Sequence, residues 1–221
     1  SPNQNHKKVN LSMIAQYKGM DASTLEAEYN LRVRRGRDFE NLVHRWLDRS
    51  AAHRNASGAS VNLAYGTGER EKLDWFPGGD ANSPALIFIH GGYWQRGDKS
   101  MYSFVSESSI RHGVSVAVLN YDLTPSVRMP EIPFQIQKAV SWVWHNAPDL
   151  GFSRNQLFVS GHSAGGHLTA RMMATDWPSL DAGLPPDLIR GGIPISGLYE
   201  LEPLVHTSIN EGPQMGIAEA R

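Results

Sequence analysis

Cysteine is absent from this chain of 221 residues. That absence removes disulfides, thiolate metal sites and cysteine nucleophiles together, and it fits a reducing compartment. Net charge is nearly absent as well: 21 basic residues stand against 22 acidic ones, a formal −1 at pH 7. Without an excess of either sign, there is no bulk electrostatic reason to expect nucleic acid or an anionic membrane as a partner. Nothing in the chain approaches the roughly 18 consecutive apolar residues of a membrane span. No apolar stretch follows the polar, basic Ser1–Asn10, as a signal peptide would require. A cytoplasmic protein is expected. Internal repeats, low-complexity tracts and an interdomain linker are also missing. The chain therefore reads as an irregular lead-in over residues 1–20 and a single α/β domain over residues 21–221.

What is present is a succession of buried strands with helices between them. Ala85–Ile89 (A-L-I-F-I) and Ser115–Leu119 (S-V-A-V-L) are continuous apolar runs, the mark of strands covered on both faces. Leu157–Ser160 is a third such run, and Gly192–Ser196 a fourth that carries Pro194. Val61–Tyr65 and Leu73–Phe76 read as two earlier strands joined by a turn containing Gly66 and Gly68. Helical spacing runs from Ala22 to about Arg54, with Phe39, Leu42, Val43, Trp46 and Leu47 on one face. The arginines of this stretch are interleaved with acids, which describes a solvated, salt-bridged face. Ser100–His112, a segment starting at Ile132, and Ala164–Thr175 are the other expected helices. The alternation predicts a mostly parallel central sheet with helices on both faces.

Two short segments carry chemistry. Gly161-His162-Ser163-Ala164-Gly165 has the G-x-S-x-G form in which small residues let a strand turn sharply into a helix and expose the serine Oγ. His90-Gly91-Gly92-Tyr93-Trp94 places glycines directly after a buried strand, where backbone N–H groups can face a developing oxyanion. Ser163 is the expected nucleophile. Gly91, Gly92, Tyr93 and Ala164 are the expected oxyanion donors, and Tyr93 and Trp94 are candidates to line a substrate pocket. A structural role for His90, tying the loop down through its ring, is favoured over a catalytic one. Asp122 and Thr124 lie just past a central strand end, with a turn cap as the simpler reading of Asp122. His162 and His167 flank the serine too closely to act as its base. Downstream the only further histidine is His206, and the acids considered are Asp176, Asp181 and Asp187. In this fold the triad acid and base follow two later strands, and each further strand–helix unit takes about 30 residues. The triad acid and base are therefore expected to be absent from this chain, with the last two strands missing and the full-length product longer. No H-E-x-x-H or clustered His/Asp spacing occurs, so neither metal nor cofactor is expected.

The residues H-G-G-Y-W-Q at 90–95, N-Y-D-L at 120–123, G-H-S-A-G-G-H at 161–167 and S-G-L-Y-E-L-E-P-L at 196–204 resemble the arylformamidase (kynurenine formamidase) group of α/β-hydrolases. E-Y-N-L-R at 28–32 is similar to that group's N-terminal region. The likeness runs from about residue 20 to 210. It implies the α/β-hydrolase fold, Ser163 as nucleophile, an oxyanion loop at 91–93, and metal-free hydrolysis of N-formylkynurenine or of small arylformamides and esters. Two alternatives stand beside it. One is a general carboxylesterase, because a serine elbow and a glycine loop serve esters equally. The other is a catalytically inert hydrolase-like fragment. The expected partner is a small-molecule substrate, with a homodimer as the one assembly considered.

Overall fold

The computed structural model describes residues 16–221. Of the lead-in expected over residues 1–20, residues 1–15 lie outside the described residues. Residues 16–20 form a tight turn closed by a bridge between Tyr17 and Met20.

The strands are β1 (Ser60–Ala64), β2 (Lys72–Phe76), β3 (Ala85–Ile89), β4 (Ser115–Leu119), β5 (Leu157–His162) and β6 (Gly191–Ile195). They form one six-stranded sheet in the order β1-β2-β4-β3-β5-β6. β1 and β2 pair antiparallel, as their short Gly-containing connection demands, and β2 runs antiparallel to β4. The β4-β3-β5-β6 block is parallel. β6 takes an outer position, where the missing N–H of Pro194 is tolerated, and it exposes 61% of Ile193 and 45% of Ile195.

The helices are α1 (Ala22–Tyr29), α2 (Leu31–Arg35), α3 (Arg37–Ala56), α4 (Ser106–Arg111), α5 (Ile132–His145), α6 (Ala147–Leu150), α7 (Ala164–Met173), α8 (Trp177–Leu180), α9 (Glu202–Val205) and α10 (Ile217–Ala220). The helical stretch expected from Ala22 to Arg54 is thus broken into three. Asn30 ends α1 and caps α2, accepting from the Val33 amide. Gly36, with φ of 48°, then redirects the chain into α3. The expected Ser100–His112 helix is helical only in part. Two 3-10 turns, Lys99–Met101 and Ser103–Val105, precede α4. Serine hydroxyls compete for the backbone there, and Ser106 Oγ donates to the Ser103 carbonyl at 2.8 Å.

Residue alternation along the central strands divides the core in two. Ile87, Ile89, Ala117, Leu119, Leu157 and Val159 face α5 and α7, meeting Ile136, Val140, Val143, Leu168 and Met172. Phe76, Phe88, Val116 and Val118 face the other way and are covered by Trp46 of α3 with Tyr102, Phe104 and Ile110. Helical cover on both faces explains why β3 and β4 are apolar throughout. Among the described residues no helix is long and apolar enough to cross a membrane.

Candidate active site

The parallel register of β3 and β5 sets Ile89 beside Gly161. The two chains therefore leave the sheet side by side, one into the loop starting at His90, the other into the turn at Ser163. Close approach at this point depends on three glycines. A Cβ on Gly165 would lie 1.9 Å from the Ile89 carbonyl oxygen, and one on Gly161 would lie 2.3 Å from the Gly165 oxygen. A Cβ on Gly91 would lie 2.7 Å from the His162 carbonyl oxygen and 3.1 Å from the Ser163 Cβ.

Ser163 itself has φ of 57° and ψ of −119°. This conformation is strained for a residue with a side chain and matches the sharp strand-to-helix turn expected of the G-x-S-x-G segment. Its amide donates to the Ile195 carbonyl at 2.9 Å, so β6 holds the turn from behind. Ala164 opens α7, and an amide in a helix's first turn has no intrahelical acceptor. On the facing loop, Gly92 has φ of 118°, and its carbonyl accepts from the Gln95 and Arg96 amides at 3.1 and 3.0 Å. Tyr93 and Trp94 follow with φ of 52° and 58°. Among the described residues, the amides of Gly92, Tyr93 and Ala164 meet no protein acceptor.

The loop is held from beneath. The His90 ring is fully buried, stacked 4.4 Å from Tyr121 and 5.7 Å from Tyr102. Its Nδ1 lies 2.7 Å from the Gly91 carbonyl. A carbonyl only accepts, so Nδ1 carries the proton. Burial pushes the imidazole pKa down to about 4, which keeps it neutral. The ring secures the loop, in line with the structural role favoured for it. Thr124 adds a second tie, donating to the Trp94 carbonyl from its amide at 2.8 Å and its hydroxyl at 3.2 Å.

Ser163 opens into a cavity of about 150 Å³. Gly92, Tyr93 and His162 line its floor, and Leu31, Arg32, Phe39, Val43 and Trp46 of α2 and α3 form its roof. The half-buried Tyr93 phenol joins the two, donating to the Tyr29 carbonyl at 2.7 Å. The roof was not recognised as a wall in the sequence. A signal for it exists: Phe39, Val43 and Trp46 form an apolar stripe on a helix that is otherwise polar, and they end half-buried where they line the cavity.

Other expected site residues fall elsewhere. Trp94 does not line the pocket. It is fully buried and meets His167 edge-on at 5.4 Å, so the substrate contact considered for it is corrected to a packing role. Asp122 exchanges two hydrogen bonds with Gln135 of α5, each 2.8 Å, and takes no part in the cavity. His162 lines the cavity without a hydrogen bond to Ser163, and burial lowers its pKa. His167 is engaged with the Leu198 carbonyl at 2.8 Å. His206 does not line the cavity. Asp176, Asp181 and Asp187 pair with Ser179, His145 and Arg190, and none of them lines the cavity. Among the described residues no histidine ring hydrogen-bonds the Ser163 hydroxyl.

A family model described as BD-FAE matches residues 75–182. A kynurenine formamidase of Salmo salar is 34% identical over 157 residues, covering 70% of this chain and 51% of the relative. Esterase LipQ of Mycobacterium tuberculosis is 28% identical over 160 residues, covering 67% of this chain and 38% of that protein. A solved structure from Silicibacter sp. TM1040, provisionally assigned as a thioesterase, shares 37% identity with a TM-score of 0.70, covering 80% of this chain and 64% of its own. The chain spans about half the length of the curated formamidase it matches. The sequence likeness and the shared architecture point the same way: this chain has the α/β-hydrolase fold and is similar to the arylformamidase-like group of that superfamily.

Proposed function

We propose that this chain carries the nucleophile and the oxyanion-binding loop of a serine hydrolase acting on a small formamide or ester, with N-formylkynurenine as the leading substrate. The observation that carries the reading is the strained Ser163 at the cavity floor, beside the unengaged amides of the Gly91-Gly92-Tyr93 loop. A formamidase among the relatives supports the choice of substrate.

In this reading Ser163 Oγ attacks the formyl carbon and gives up its proton to a general base, a role that no residue hydrogen-bonded to Ser163 fills among the described residues. The Ala164 amide and a Gly92 or Tyr93 amide hold the tetrahedral oxyanion, an arrangement worth about 3 kcal/mol per donor in acyl-transfer enzymes. The C–N bond breaks and the arylamine leaves with the proton. Water then hydrolyses the formyl-serine ester, releasing formate and restoring the hydroxyl. Tyr93 and the roof of α2 and α3 would enclose the aryl group.

A fluorophosphonate probe tests the first step, because a serine without an activating base reacts slowly. Labelling that vanishes in Ser163→Ala would mean that a base activates this hydroxyl and would support the hydrolase reading. No labelling of the intact chain overturns it in favour of an inert hydrolase-like fragment, the reading consistent with the lack of a histidine in contact with Ser163. Parallel rates on N-formylkynurenine and a short p-nitrophenyl ester then separate formamidase from general carboxylesterase. The esterase relative favours the second of these, and a strong ester preference would establish it.

A further inference from the structure

Arg32 and Arg96 both line the cavity into which Ser163 opens, and no carboxylate lines it with them. Neither has an acidic partner among the described residues, whereas Arg34, Arg49, Arg54 and Arg70 each lie within ion-pair distance of one. The two guanidinium groups come from separate parts of the chain. Arg32 belongs to α2 and is steadied 5.4 Å over the Phe39 ring, a contact that orients the cation without neutralising it. Arg96 closes the Gly92 turn through its own amide. Partial loss of solvent at the cavity wall, and after it the charge on Arg32, lowers the Arg96 pKa, so two like charges act on one another here. An anion seated between them would relieve that repulsion, and the planar forks suit a carboxylate.

We propose that Arg32 and Arg96 form an anion subsite, selecting substrates that carry a carboxylate on the part remote from the scissile carbonyl. The inference rests on the serine hydrolase reading for its link to substrate, though binding alone can test it.

Calorimetry on the full chain would compare 2-formamidobenzoate with its neutral isostere 2-formamidobenzamide. The carboxylate is expected to bind roughly tenfold tighter, since charge-assisted bonds are about twice as strong as neutral ones. Arg32→Gln and Arg96→Gln should each weaken carboxylate binding roughly fivefold, a loss tempered by exposure to solvent. Both should weaken the carboxylate more than the amide, and added salt should shrink the preference. Both side chains are exposed, so the variants should keep the parent's thermal melt, which circular dichroism would check. Equal affinity for the two ligands, no binding of either, or variants without effect would overturn the subsite. Fluorophosphonate labelling with equal affinities would retain the hydrolase and remove the subsite. Arginine-dependent carboxylate binding without labelling would do the reverse.

Discussion

Ser163 holds a backbone conformation with φ of 57° that costs on the order of 1–3 kcal/mol and persists only when its surroundings force it. Gly161 and Gly165 do the forcing, because each lets one backbone lie where another residue's Cβ would be. Gly165→Ala is therefore expected to lower stability by about 3 kcal/mol, since the clash is with the rigid Ile89 carbonyl rather than a movable side chain. Ser163→Ala, which keeps the same strain, should stay within about 0.5 kcal/mol. Urea titrations of both variants decide the matter, and similar small shifts in the two would refute the argument. The motif G-x-S-x-G was legible at this scale and so was the position of the turn. What each glycine touches was not, because Ile89 is remote in the chain and meets Gly165 only once β3 and β5 have paired.

The element that matters most is the loop from His90 to Asp98. Its anchor is a neutral imidazole whose pKa falls from 6.5 to about 4. The unfolded chain takes up that proton before the folded one does, so stability drops as pH falls from 6.5 toward 4 and levels off below. The full linkage amounts to about 3 kcal/mol. Burial lowers His53, His162 and His167 as well, and these act with the same sign. Replacing His90 with Asn should flatten the slope of unfolding free energy in this window. Denaturant titrations across pH measure it, and an unchanged slope would assign the acid sensitivity to the other three rings. Reading His90 as an anchor was possible from its place before the glycines. Trp94 misled because an aromatic beside an active-site loop looks the same in sequence whether it faces the pocket or the core. The α3 stripe had the opposite fault: its periodicity was plain, but nothing in it distinguished a cavity wall from packed core.

Across the whole molecule, one buried cluster ties the N-terminal helices, the antiparallel edge of the sheet and the loop together. Lys99 donates to Asp74 of β2 at 2.6 Å and to Asn62 of β1 at 2.7 Å. Arg54 of α3 lies 3.3 Å from the other Asp74 oxygen. Asp74 is fully buried, so removing its close partner leaves an under-compensated charge in the interior. Lys99→Met is expected to cost about 3–5 kcal/mol, less once Asp74→Asn is added, because partners in one network do not contribute additively. Thermal melts of the two single variants and the double would show it, and strict additivity would sink it. At this scale the sheet and its helical cover were legible from β3, β4, β5 and α5. The Asp74 cluster was not, since an aspartate between apolar neighbours in K-L-D-W-F reads equally well as a solvent-facing position.

The hinge serine and its loop belong to the sheet, whereas the chamber above them is closed by α2 and α3, which are separate elements from the strands and the loop. Substitutions in that canopy can therefore alter which molecules are admitted while leaving the Ser163 turn and its facing loop intact. Chemistry and choice of guest are free to diverge at separate rates in such an arrangement, and closely related chains should differ most at the positions facing down from the canopy.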